Sequence, residues 1–134
     1  MYLALLKEEE KNLFLELACS LSASDGDFET EETEMIVTYC KEMGVTYDNT
    51  PGKRNAETII NQINKISDSK SKKIIVFELV GLALCDDKYD IHEKNMIYDL
   101  AEKIAVGKSV VEEFEHIIAD YIKLQSQMNN LILN

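Results

Sequence analysis

The sequence predicts an all-α fold, a single-domain bundle of six to seven helices spanning residues 1–134, on three observations. Helix-forming residues dominate a chain with one proline and five glycines, which leaves little material for strands and tight hairpins. Apolar residues recur at helical spacing along most of its length. Third, the twelve residues Ile74 to Cys85 are apolar almost all the way round a helical wheel, with Glu78 the only charge. A helix apolar on one stripe lies on a surface, whereas one apolar on every side is enclosed by others. Spanning a bilayer takes about 20 residues, so this segment reads as a central core helix.

The elements follow in order. Leu3 to Ala23 reads as a first long helix, with Leu6, Leu13, Leu17 and Leu21 as its stripe and Lys7 to Lys11 as a solvated, charged opening. It stops at Ser24-Asp25-Gly26-Asp27, where Gly26 supplies a positive φ at low cost. A second helix starts at Thr30 with Glu31, Glu32 and Glu34 near its positive dipole end, and closes at Gly44. Its inward face is Met35, Ile36, Tyr39, Cys40 and Met43. Val45 to Arg54, with Asn49, Pro51 and Gly52, is an irregular connection. Ala56, Ile59, Ile60, Ile63 and Ile66 mark a third helix, and Ser67 to Ser71 a polar break before the central one. After the turn Asp86-Asp87-Lys88-Tyr89-Asp90, Ile91 to Ala105 is helical and Gly107 ends it. Ser109 caps a last helix, whose face is Val110, Val111, Phe114, Ile117, Ile118, Tyr121 and Ile122. The tail from Gln125 to Asn134 is expected to fray, unless Leu131, Ile132 and Leu133 dock on a neighbour.

Composition narrows the function. The 46% hydrophobic content argues against disorder, and the net charge of −11 argues against phosphate-rich partners. Nucleic acid and anionic membrane surfaces are therefore poor candidates and cations or a basic protein partner better ones; direct membrane insertion is not expected, because no apolar segment is long enough to cross a bilayer. Cys19, Cys40 and Cys85 are odd in number, without a CxxC pair. They fall among apolar helical residues, as expected of reduced thiols in a cytoplasmic protein. The start, MYLALLKEEEK, is too short an apolar run for a signal peptide.

An internal repeat organises the chain. At a constant offset of 61 residues, Asp25 falls on Asp86, Phe28 on Tyr89, Glu29 on Asp90 and Glu32 on Glu93. Met35 falls on Met96, Ile36 on Ile97 and Val45 on Val106. Each half, roughly 13–45 and 74–106, is a helix, an acidic turn and a second helix. Two such pseudo-symmetric hairpins around the central helix, covered by the third and last helices, would bury one core.

The acidic turns are the candidate site. Asp25, Asp27, Glu29 and Glu32 in the first, with Asp86, Asp87, Asp90 and Glu93 in the second, could bind Ca²⁺ or Mg²⁺, which take oxygen ligands. The EF-hand pattern fails: counted from Asp25, position 6 is Thr30 and position 12 is Ile36. Capping competes with metal binding, because Asp90-Ile91-His92-Glu93 has the form of a capping box. Thr30 or Glu29 would serve the first turn in the same way.

Other residues favour structural roles. His92 and His116 are too few for a zinc site and read as surface residues. Glu78 is expected to reach the helix surface or meet a lysine, against the alternative of a buried base. Tyr39, Tyr89, Tyr98 and Tyr121 are placed on inward faces. No nucleophile elbow, phosphate loop or dinucleotide fingerprint is present in the sequence, so catalysis is not expected.

The run LACSLSASDGDFETEETEMIVTYCKEMGV resembles the signature of the TerB-like domain of tellurite-resistance proteins. VGLALCDDKYDIHEKNMIYDLAEKIAV resembles the family's second copy, and together the similarity covers about residues 13 to 122. It departs where Asp87 replaces the glycine of the second turn and Cys85 the preceding small residue. The resemblance implies two pseudo-symmetric helical hairpins and a cytoplasmic role in metal or chemical stress. It places a cation site at the acidic positions Asp25, Glu32, Asp86 and Glu93. It also implies the family's other use, as an interaction module beside J-domains in co-chaperones. Two functional expectations result. One is a divalent-cation-binding stress-response domain. The other is a metal-free interaction module whose acidic face binds a basic partner.

Overall fold

The computed structural model describes residues 1–22, 30–45, 54–85 and 89–134. Among these it is all-helical, with six α-helices: α1 (Glu8–Ser22), α2 (Thr30–Met43), α3 (Ala56–Ile66), α4 (Ser69–Leu84), α5 (Ile91–Lys103) and α6 (Lys108–Leu133). A 3-10 turn, Leu3–Leu5, precedes them. The predicted first helix is thus two pieces, parted where Leu6 turns extended (φ −75°, ψ 151°). Two interactions place the start of α1 at Glu8. The Lys11 amide donates to Lys7 O at 2.9 Å, and the Glu10 carboxylate reaches back to accept from the Lys7 amide at 2.8 Å. Glu10 is fully buried, because it also accepts from Ser67 Oγ at the end of α3. The charged opening is therefore not uniformly solvated; Glu10 joins α1 to α3.

The apolar segment forms the centre, as its sequence requires. On α4, Ile74, Ile75, Val76, Leu79, Val80, Leu82 and Ala83 are all buried. Helices α1, α2, α5 and α6 pack against it, and α3 packs against α1. The predicted polar break is shorter than expected. Asp68 caps α4 by accepting from the Ser71 amide at 2.8 Å, so Ser69 to Ser71 are already helical. Where α2 crosses α4, the Tyr39 hydroxyl lies near Gly81, and a Cβ there would come within 3.6 Å of it. That hydroxyl donates to Glu78 O at 3.1 Å. Ring contacts of Phe14 with Tyr39 and of Phe77 with Phe114 extend the same core.

The repeat extends further than its turn residues. Helices α1 and α4 start 61 residues apart, and so do α2 and α5. The stops correspond as well. Gly44 takes φ +72° and Ala105 takes φ +64°, again 61 apart. After Gly44, the Val45 amide donates to Cys40 O at 2.9 Å. After Ala105, the Val106 amide donates to Ala101 O at 2.8 Å. Both ends are the six-to-one closure that a left-handed residue makes possible. So Ala105, not Gly107, terminates α5. Gly107, not Ser109, stands at the N-cap of α6, and it contributes no side-chain cap.

The last helix departs most from expectation. It does not end near Gln125 but continues to Leu133, 26 residues in all, about 39 Å at 1.5 Å per residue. Val111 and Ile118 face the core, but Ile117 and Tyr121 are exposed. Among the described residues, no helix is long and apolar enough to cross a membrane.

Candidate functional site

Four features could carry function: the acidic turns, the buried Glu78, the groove between α5 and α6, and the outer half of α6. The turns come first because the sequence singled them out. Asp25, Asp27, Glu29, Asp86 and Asp87 lie outside the described residues. Glu32 falls in α2, but its side chain is likewise outside them. Asp90 and Glu93 are described. Asp90 is the N-cap of α5, and its Oδ1 accepts from the Glu93 amide at 2.8 Å. That is the forward half of the capping box. Glu93 is buried in the first turn of α5. Among the described residues, no three His, Cys, Asp or Glu side chains are grouped to hold a metal ion.

Glu78 differs from its expectation. It is only 4% exposed, and its Oε1 accepts from the Tyr2 amide at 2.9 Å and the Met1 amine at 2.8 Å. Glu42 joins from α2, accepting from the Leu3 amide at 3.3 Å. Burial lowers the amine's pKa, but hydrogen bonds and charge from Glu78 and Glu42 outweigh it and leave it raised. Tyr39 sits beside this cluster, where burial first and Glu78 second push its hydroxyl well above its usual value. The carboxylate thus straps the N-terminal segment over α2 and α4, its Oε1 accepting from two main-chain nitrogens.

Between α5 and α6 runs an open groove of about 1100 Å³. Tyr98 donates to Glu115 at 2.5 Å across it, with Lys94 Nζ 5.7 Å from the Tyr98 ring centre. Burial, then Glu115, raise the pKa of Tyr98. Lys94 and Lys108 face Asp99, Glu102, Glu112 and Glu115 along the walls. Such mixed charge selects no ion class. His116 lines the groove and His92 is exposed, in keeping with the surface reading of both.

The outer half of α6 is the feature that sequence reasoning missed. From Lys123 onward every residue is exposed, so at least 11 helical residues up to Leu133 stand clear of the bundle. Ile117, Tyr121, Leu124, Met128 and Leu131 recur at alternating intervals of four and three, with exposures from 45% at Tyr121 to 84% at Leu131. The series continues inward to Phe114 and Val110, which are partly buried on the core. Alternating fours and threes average 3.5 residues, the repeat that keeps one seam toward a partner helix. The spacing was visible in the sequence. The sequence pattern alone groups Ile117 and Tyr121 with Ile118 and Ile122 as one core face, which hides it.

Charge separates the arm from the body. From Ile117 to Asn134 there is one acid, Asp120, and one base, Lys123, so the arm is neutral and the −11 resides in the rest of the chain. Comparison of the chain with protein-family models, curated proteins and solved structures gives no match in any of the three.

Proposed function

We infer that the protein is a non-enzymatic, TerB-like helical interaction module that binds an amphipathic helix of its partner along the outer half of α6. The observation that carries this reading is the exposed stripe Ile117, Tyr121, Leu124, Met128 and Leu131 on a helix projecting beyond its own core. A single helix of this length is marginal in water without tertiary packing. An exposed contiguous apolar stripe is the usual mark of a protein contact. Burying one Leu, Ile or Met side chain contributes about 1.5–3 kcal/mol. Four such residues together with Tyr121 can therefore offset an association cost of about 4–15 kcal/mol.

The acidic turns enter this reading as helix starts, with Asp90 already engaged as a cap. The acidic surface keeps the body soluble and apart from anionic surfaces; affinity comes from the neutral arm. The test is a photo-reactive side chain placed at Leu124, with Glu57, exposed on α3, as the control position. Discrete adducts from Leu124 and none from Glu57 are expected. No adduct from Leu124 would sink the reading.

A further inference from the structure

We propose that the helix seated on the α6 arm is the same arm of a second copy of this chain, running antiparallel to it. The inference rests on the arm being the binding element and adds the identity of its occupant.

Charge makes the first argument. A basic partner, the expectation from composition, finds nothing to pair with along the stripe. Asp120 and Lys123 cancel, and Leu124 to Asn134 is uncharged. The same neutrality removes any repulsion between two arms, although the chains carry −11 each. An anionic bilayer surface is disfavoured for the opposite reason. Helices that lie on such surfaces are rich in Lys and Arg on the polar face, whereas this one offers Gln125, Gln127, Asn129 and Asn130.

Pattern makes the second. The 4-3-4-3 spacing is self-complementary: laid antiparallel, Tyr121 meets Leu124, Ile117 meets Met128, and Phe114 meets Leu131. The partial burial of Phe114 on Phe77 fits this register, because each arm tip then closes over the edge of the other body. Beside the seam from Tyr121 to Leu131, Gln125 and Gln127 are polar and neutral, Ile132 is apolar and Asp120 carries the one charge, so the flanks offer little to a different, charged helix.

Orientation follows from the bodies. A parallel pair would set the two acidic bodies side by side at one end of the arms. An antiparallel pair offsets them along the axis: in this register Glu115, on the part of α6 that packs on the body, lies level with Asn130 of the other copy, 15 residues or about 22 Å from its own counterpart. The antiparallel pair therefore buries the same stripe with the acidic bodies offset along the axis rather than side by side.

The experiment is sedimentation of the full chain over a concentration series, alongside two variants. Wild type is expected to pass from 15.3 kDa to twice that mass. Leu124→Glu, which places a charge in the seam, should stay at single-chain mass while its body still unfolds in one cooperative transition. Ser126→Glu, on the outward side of the same helix, should pair as wild type does. Wild type remaining at single-chain mass at the highest concentration overturns the proposal. If Leu124 then still gives photo-adducts of another mass, the arm is a docking element for a different protein and only the self-pairing falls. If it gives none, both fall. Spin labels at Asn130→Cys in a Cys85→Ser background read the orientation. The antiparallel register places them about 22 Å apart along the axis, from 15 residues at 1.5 Å each. A separation near 10 Å would make the pair parallel and overturn the arrangement.

Discussion

At the scale of single residues, the chain uses carboxylates as joints. Glu10 gathers the Lys7 amide and the Ser67 hydroxyl, Glu78 gathers the Tyr2 amide and the Met1 amine, and Glu16 pairs with Arg54 at the entrance to α3. Charge-assisted bonds of this kind stabilise more than neutral ones, and removing the acceptor leaves part-buried donors and a vacated buried site. Glu78→Ala is therefore expected to lower unfolding stability by about 2–3 kcal/mol, and Glu78→Gln, which keeps one acceptor oxygen, by about 1 kcal/mol. Urea unfolding monitored by circular dichroism measures both. Changes within about 0.5 kcal/mol, the usual size for a surface site, would mean that Glu78 does not clamp the N-terminal segment. Nothing local in the sequence announces this role. The Tyr2 amide lies 76 positions away in the chain, and an isolated Glu in an apolar run looks as much like a surface marker as a buried acceptor.

At the scale of elements, the sequence was most legible where a physical rule acts locally. The apolar wheel of α4, the amphipathic faces of α2 and α3 and the Asp90 cap all emerge where their residues put them. Ends were less legible, because helix stops depend on backbone geometry that more than one residue can supply. Gly44 advertises its left-handed conformation, but Ala105 adopts the same one without advertising it. The difference yields a paired prediction. A left-handed φ costs a non-glycine residue about 1–2 kcal/mol, and nothing lies within 4 Å of a Cβ built on Gly44. Gly44→Ala should therefore destabilise by about 1 kcal/mol through the backbone alone. Ala105→Gly should stabilise by about 0.5 kcal/mol, since relief of strain exceeds the extra freedom of glycine in the unfolded chain. Thermal melts of the two variants are expected to shift in opposite directions. A shift of the same sign would mean that the two helix ends are not physically equivalent halves of one repeat.

At the scale of the whole molecule, the sequence predicted a charged body and missed the neutral arm. A net charge averages over all 134 residues, and the average concealed that one end carries none of it. The two sources of affinity that follow from these two descriptions respond to salt with opposite sign. An acidic face holding a basic partner loses affinity as salt rises, because its attraction is Coulombic and the Debye length shrinks from about 30 Å at 0.01 M to about 8 Å at 0.15 M. An apolar seam between two like-charged bodies gains affinity over the same range. Screening weakens the repulsion of the bodies and leaves apolar burial untouched, and excluded salts such as sulfate strengthen that burial further. The dissociation constant of the pair is therefore expected to fall several-fold between low and physiological sodium chloride. It should fall again on replacing chloride by sulfate at equal ionic strength. Sedimentation equilibrium at each salt measures this directly. Association that weakens with added salt would place the binding energy on the acidic body, where composition alone had put it, and remove it from the arm.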